Sequence, residues 1–389
     1  MKRIILLVFL LTGILSQAQV TKLPFKLLPG GHILLKVKIN KINQELDFVF
    51  DTGASTGVID KGTAKKLGLD STEKVRVPGA GGVETYDLIR NQQLKISDKI
   101  DLSIPYMVSV DMTRFHEVSD ERYQGIIGYN LIHQNIMKID YQNEELIIYK
   151  SFEDIDLNGY EKIPFEFHSG AIPKIKLSFT LNGQEYSGDV LFDSGAAQTL
   201  SINTPFVKRN NLNSLVDKKV VLKSENLGST STSEKIAIES VRIGKYKLND
   251  LSIILSEDKQ GVSSYDGLLG ILGGKIIKRF NIILDYNNST MYLKPNVLYK
   301  ESFEFPMSSL RLKKKNGVIF IDELEENSLE YNAGLRKGDM IISMNGQSSK
   351  LIQFYKDLLK KEGKTIKIKV KTKSKEIKTV SFTLKNLLK

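Results

Sequence analysis

The chain has 389 residues, a formal net charge of +11, and neither cysteine nor tryptophan, so disulfides and thiol chemistry are excluded and two or three domains are expected. Its lysines are scattered and form no basic stripe interleaved with aromatics, which argues against a nucleic-acid partner. None of the four histidines, His32, His116, His133 and His168, lies at metal-ligand spacing, so neither a metal nor another cofactor is expected.

At the N-terminus, Lys2 and Arg3 precede an apolar run over residues 4–15, and Ser16-Gln17-Ala18 fits a small-x-small cleavage site. Residues 1–18 are therefore expected to be a signal peptide, and the mature chain periplasmic or extracellular. The run is too short to cross a bilayer comfortably and no later segment is long enough, so no stable membrane span is expected.

A first unit is expected over residues 19–155. Ile33, Leu35, Val37 and Ile39 alternate with Leu34, Lys36 and Lys38, as a half-buried strand does. After a turn at 40–43 the chain returns through Phe48-Val49-Phe50 into Asp51-Thr52-Gly53-Ala54. A Gly-rich stretch over 78–86, holding Gly81, Gly82 and Tyr86, reads as a hairpin tip. The string Gly125-Ile126-Ile127-Gly128 follows, and the unit closes on Asp140-Tyr141-Gln142-Asn143 and then Leu146-Ile147-Ile148.

A second unit, expected over 156–300 behind a polar connector at 151–161, repeats this plan. Ile175, Leu177, Phe179 and Leu181 alternate with polar residues, Asn182-Gly183 is a two-residue hairpin signal, and Val190-Leu191-Phe192 leads into Asp193-Ser194-Gly195-Ala196. Gly267-Leu268-Leu269-Gly270 follows Asp193 at the same spacing, to the residue, as Gly125 follows Asp51, and Leu284-Asp285-Tyr286-Asn287-Asn288 closes the unit. One Asp-Thr-Gly string alone is an ordinary turn. Two copies, one in each unit and with matched surroundings, are a duplicated half-site with one carboxylate in each half.

Residues 301–389 form a third region. Val318-Ile319-Phe320-Ile321 reads as a strand, Ile352, Tyr355, Leu358 and Leu359 have helical spacing, and Gly363 sits at a helix stop. Between them lie Ala333-Gly334-Leu335-Arg336-Lys337-Gly338-Asp339 and Asn345-Gly346.

On these strings, residues 20–298 resemble the bacterial pepsin/retropepsin-like aspartic proteases with both lobes in one chain, and 301–389 resembles a PDZ domain. The resemblance implies a mainly β chain: two pseudo-symmetric acid-protease-like β lobes and a small α/β PDZ domain. It makes Asp51 and Asp193 the catalytic pair, Thr52 and Ser194 the residues that lock the turns, and Gly53 and Gly195 the points of close backbone approach. Gly81, Gly82 and Tyr86 become flap residues over a polypeptide substrate. The implied activity is that of an exported, monomeric endopeptidase with a water activated between two carboxyls; a non-catalytic peptide-binding protein that keeps the cleft is the alternative. The PDZ domain implies a peptide ligand, although residues 307–312, where its carboxylate-binding loop falls, contain no glycine.

Overall fold

The computed structural model describes residues 19–389 apart from 72, 154, 227 and 228, so the signal peptide expected at 1–18 lies outside the described residues. The chain is mainly β, in four sheets. The first lobe is an eight-stranded sheet in the order Lys26–Leu27, Ile33–Ile39, Leu46–Phe50, Gly125–Ile127, Gly57–Asp60, Ile100–Val110, Val83–Ser97 and Glu73–Pro78. The second repeats it strand for strand, as Glu166–His168, Ile172–Leu181, Gln184–Asp193, Gly270–Gly273, Leu200–Ile202, Tyr246–Ser256, Ser229–Ile243 and Val220–Asn226. In each lobe the second strand also pairs with the seventh, which curls the sheet towards a barrel.

The alternation read from the sequence sets these faces: Ile33, Leu35, Val37 and Ile39 are buried while Lys36 is exposed. Phe48, Phe50, Phe179, Phe192 and Phe280 are fully buried in one apolar core that runs through both lobes. Each such side chain contributes about 1.5–3 kcal/mol by leaving water. Asn182 (φ 52°) and Gly183 (φ 75°) form the left-handed pair that a tight hairpin between right-twisted strands requires.

The closing hairpins of the two units join rather than end their lobes separately. Ile136–Asp140 pairs antiparallel with Phe280–Asp285, and a six-stranded sheet forms in the order Gln19–Pro24, Glu145–Tyr149, Ile136–Asp140, Phe280–Asp285, Thr290–Pro295 and Glu161–Pro164. The repeated Asp-Tyr-x-Asn strings have a local cause. Asp140 Oδ1 accepts from the Asn143 N–H and Asp285 Oδ1 from the Asn288 N–H, each at 3.1 Å.

The C-terminal region is a five-stranded meander of Arg311–Lys315, Val318–Glu323, Met340–Met344, Thr365–Lys371 and Ile377–Thr383, with its own apolar core. The expected helix spans Ile352–Leu358 and buries Ile352 and Tyr355. Arg311–Lys315 is an outer edge of this sheet and faces both lobes. From the first lobe, Asp120 accepts from the Ile352 and Gln353 N–H groups at 3.0 and 2.9 Å and pairs with Lys314 at 3.0 Å. From the second, Glu225 pairs with Arg311 and, at 3.1 Å, with Lys313.

Candidate active site

Asp51 and Asp193 stand where two central strands run out. Leu46–Phe50 lies between Ile33–Ile39 and Gly125–Ile127, and Gln184–Asp193 lies between their counterparts, so neither strand end can drift. Each chain then folds back over its own carboxyl: the Gly53 N–H donates to Asp51 Oδ1 at 2.7 Å and the Gly195 N–H to Asp193 Oδ1 at 2.9 Å.

The glycines are required by the approach of the two turns. A Cβ on Gly53 would lie 2.6 Å from the Asp193 carboxyl carbon, and one on Gly195 would lie 2.3 Å from that of Asp51. No side chain fits there, and the two carboxyls come within hydrogen-bonding reach of each other.

Thr52 and Ser194 hold this arrangement by reciprocal bonds. The Thr52 N–H donates to Ser194 Oγ and the Ser194 N–H to Thr52 Oγ1, both at 3.0 Å. Their hydroxyls reach onward, Thr52 Oγ1 to the Phe192 carbonyl at 2.7 Å and Ser194 Oγ to the Phe50 carbonyl at 3.3 Å. All of this is buried, so every donor lost here would be left without water to replace it.

The string beneath the first turn is the expected one: Phe48 to Phe50 pair in parallel with Gly125 to Ile127, and a Cβ on Gly128 would lie 1.9 Å from the Asp51 carbonyl oxygen. In the second lobe the expectation is corrected. Val190 to Asp193 pair with Gly270 to Gly273, so the supporting string is Gly270-Ile271-Leu272-Gly273 and starts at Gly270 rather than Gly267. The sequence holds two overlapping Gly-apolar-apolar-Gly strings that share Gly270, and the equal spacing from the two Asp residues pointed to the wrong one. Gly273 takes the role of Gly128, its missing Cβ making room for the carbonyls of Ala196 and Gln198.

The electrostatics separate the two acids. Burial and the neighbouring Asp51 charge push Asp193 well above the ordinary carboxylate range. Burial also raises Asp51, but the Asp193 hydrogen bond and the Gly53 and Gly195 N–H groups offset part of that rise. Two like carboxyls this close hold one proton between them, and these surroundings favour Asp193 as its holder.

His32 escaped the sequence reading. Its Nε2 lies 2.7 Å from the Gly195 carbonyl oxygen, and burial lowers its pKa, so a neutral ring donates across the lobe boundary to the Asp193 turn. Register pairing places His32 opposite Asp51 and Ile172 opposite Asp193 (Ile33 faces Phe50, and Lys174 faces Leu191). The pseudo-twofold axis is therefore broken beside the acids themselves. A lone histidine before a strand has no periodic signature. The hint lay in Gly30-Gly31, where a Cβ on Gly31 would lie 2.6 Å from the Gly274 carbonyl group.

Gly81 and Gly82 lie in the turn of a hairpin that reaches the opposite lobe. The Gly79 N–H donates to the Gly82 carbonyl, while the Gly79 and Ala80 carbonyls accept from the Val262 and Ser263 N–H groups at 3.0 and 2.8 Å. Ala80 packs on an apolar cluster of Leu191, Leu268 and Ile271. Tyr86, expected at the flap, sits away from the tip, opposite Val75. It is buried among Val49, Val108 and Tyr123, its hydroxyl without a hydrogen-bond partner among the described residues and its pKa raised to about 12 by burial. In the second lobe the strands Val220–Asn226 and Ser229–Ile243 form the matching hairpin.

Under the first hairpin runs a cleft of about 1470 Å³, lined by both lobes and by the C-terminal domain. Among the described residues there is no cluster of metal-ligating side chains in it or elsewhere, and no helix is long and apolar enough to cross a membrane.

No curated protein matches the chain. The aspartyl protease family model matches it twice, over residues 35–131 and 177–272, and each match contains one of the two Asp turns. The PDZ domain family model matches residues 307–371. The chain is thus built of two aspartyl protease segments followed by a PDZ domain.

Proposed function

We propose that this chain is an exported, monomeric aspartic endopeptidase in which Asp51 and Asp193 activate a water against a peptide bond. The observation that carries the reading is the pair of facing carboxyls, each seated against the other turn's glycine. The ionised Asp51 takes a proton from the water as its oxygen attacks the peptide carbonyl, and the protonated Asp193 donates to the carbonyl oxygen. Collapse of the tetrahedral adduct breaks the C–N bond, with a proton passing to the leaving amine. A shared proton is the known behaviour of the coupled acid pair in this protease class, and the present geometry fits that pattern. An extended substrate lies beneath the Gly79–Gly82 turn, and the PDZ domain offers a second site for a peptide.

The test is Asp51→Asn and Asp193→Asn, made separately and assayed on an unstructured protein from acidic to neutral pH. Each is expected to lose cleavage by about 10³-fold or more, since one carboxyl cannot play both roles. Wild-type cleavage by either variant would overturn the proposal. Peptide binding without cleavage by the unaltered chain would favour a peptide-binding protein that retains the cleft.

A further inference from the structure

Past the Asp193 turn the cleft continues as a chamber between the second lobe and the PDZ domain, and five lysines are among the residues that line it there. Lys275 follows Gly273 by two residues, and its N–H donates to the Gln198 carbonyl at 3.0 Å, which ties it to the segment that carries Asp193. Lys235, on the strand Ser229–Ile243, lines the same chamber, as do Lys278, Lys356 and Lys360, together with the acids Asp258, Glu301 and Glu304.

Three of these five are engaged. Lys278 donates to the Pro29 carbonyl at 3.2 Å, Lys356 to the Val118 carbonyl at 2.6 Å, and Lys360 pairs with Glu304 at 2.9 Å and Asp357 at 3.0 Å. Among the described residues, the ammonium groups of Lys235 and Lys275 have neither an ion pair nor a hydrogen bond. Both side chains are half-buried, and the Lys275 charge raises the cost of charging Lys235. Burial lowers both pKa values, that of Lys235 to about 8. Glu304 is the carboxylate whose charge reaches both, and Lys360 already holds it. Elsewhere in this chain a half-buried lysine such as Lys313 or Lys314 meets an acid directly. Two unpartnered ammoniums in one substrate-sized cleft, with the hydroxyls of Ser233 and Ser252 in the same lining, form a receptor for an anion.

We infer that the chamber is a subsite for a carboxylate of the substrate, an acidic side chain lying on the Asp193 side of the scissile bond, held by Lys235 and Lys275. This rests on the endopeptidase reading and names its substrate class: polypeptides with an Asp or Glu flanking the cut.

The experiment uses the full chain and pairs of C-terminally amidated peptides that differ only by Glu or Gln, scanned across the positions flanking the cut. Amidation isolates the side-chain carboxylate, and the same peptides with a free C-terminus report whether a terminal carboxylate serves equally. At one position Glu is expected to raise kcat/KM by about tenfold over Gln, the worth of a hydrogen-bonded charge pair. The preference should shrink with added salt. In the Lys235→Met/Lys275→Met variant it should fall to near unity, while turnover of the Gln peptide is unchanged. Equal turnover of Glu and Gln peptides by the unaltered chain, or a Glu preference that survives the double substitution, would overturn the inference. If no peptide is cut, the endopeptidase reading fails alone. The Glu and Gln peptides are then compared by fluorescence anisotropy on the Asp193→Asn chain, where the same tenfold difference in Kd supports the subsite and its absence refutes it.

Discussion

Replacing Thr52 by Val tests whether the crossed bonds set the geometry of the acids. Valine has nearly the shape of threonine, so no cavity opens, and the change removes a hydroxyl that does two things. It accepts from the Ser194 N–H at 3.0 Å and donates to the Phe192 carbonyl at 2.7 Å. Both partners are buried and water cannot replace the hydroxyl. Stranding a buried polar group costs about 1–3 kcal/mol, so two such groups amount to about 3 kcal/mol. At roughly 2–4 °C per kcal/mol for a unit of this size, Tm should fall by about 6–12 °C. The Asp193 turn also loses one of its tethers to the other lobe. A shift on the order of 1 Å between the carboxyls should lower kcat/KM by about 10²-fold. Scanning calorimetry gives the first quantity and hydrolysis of a fluorogenic peptide the second. Adding Ser194→Ala should cost less than the sum of the separate changes, since both dismantle one lock. A Thr52→Val chain with unchanged Tm and full turnover, or a strictly additive pair, would refute the reasoning.

Two other outcomes are expected. The unfolded chain releases the Asp193 proton near the model-compound value of 3.8, whereas the folded chain holds it to higher pH. Between those points the folded state binds the extra proton, so this contribution to stability is complete below 3.8 and is lost as pH rises through the folded value. Asp193→Asn has no such loss; its Tm should gain on the wild type as pH climbs from 3.5 towards neutrality, and parallel melting curves would contradict this. Gly261 has φ +73°, and a Cβ there would lie 2.5 Å from both the Gly79 oxygen and the Gly82 nitrogen. Gly261→Ala should therefore unseat the hairpin tip without unfolding the lobes, which would be seen as faster amide exchange at residues 79–82. Unaltered exchange would show that the tip is held by something else.

Much of this architecture was legible from residue patterns because its causes are local. The alternation of Ile33, Leu35 and Val37, the Asn182-Gly183 turn and the paired Asp strings each state their structure within a few residues. What stayed hidden depends on contacts between distant segments. The pairing of Val190–Asp193 with Gly270–Gly273 is decided by the pleat, and a matched spacing could not choose between two overlapping glycine strings. Tyr86 looked like a flap residue by position along the hairpin, but the cross-strand register opposite Val75 sends it into apolar packing. His32 and Lys275 are ordinary side chains until folding sets one against Gly195 and the other beside the Asp193 segment.

The strand Arg311–Lys315 has a consequence of its own. On one side of the cleft the first lobe's hairpin reaches the second lobe directly, through Gly79 and Ala80 to Val262 and Ser263. On the other side the symmetry-related gap is bridged by the PDZ domain's outer strand: Arg311 and Lys313 take Glu225, Lys313 also takes Glu117 at 3.7 Å, and Lys314 takes Asp120. Strand addition is how a peptide joins such an edge. A peptide that pairs with this strand engages the same element that links Glu117 and Asp120 of the first lobe to Glu225 of the second, so peptide capture and this bridge between the lobes share one strand.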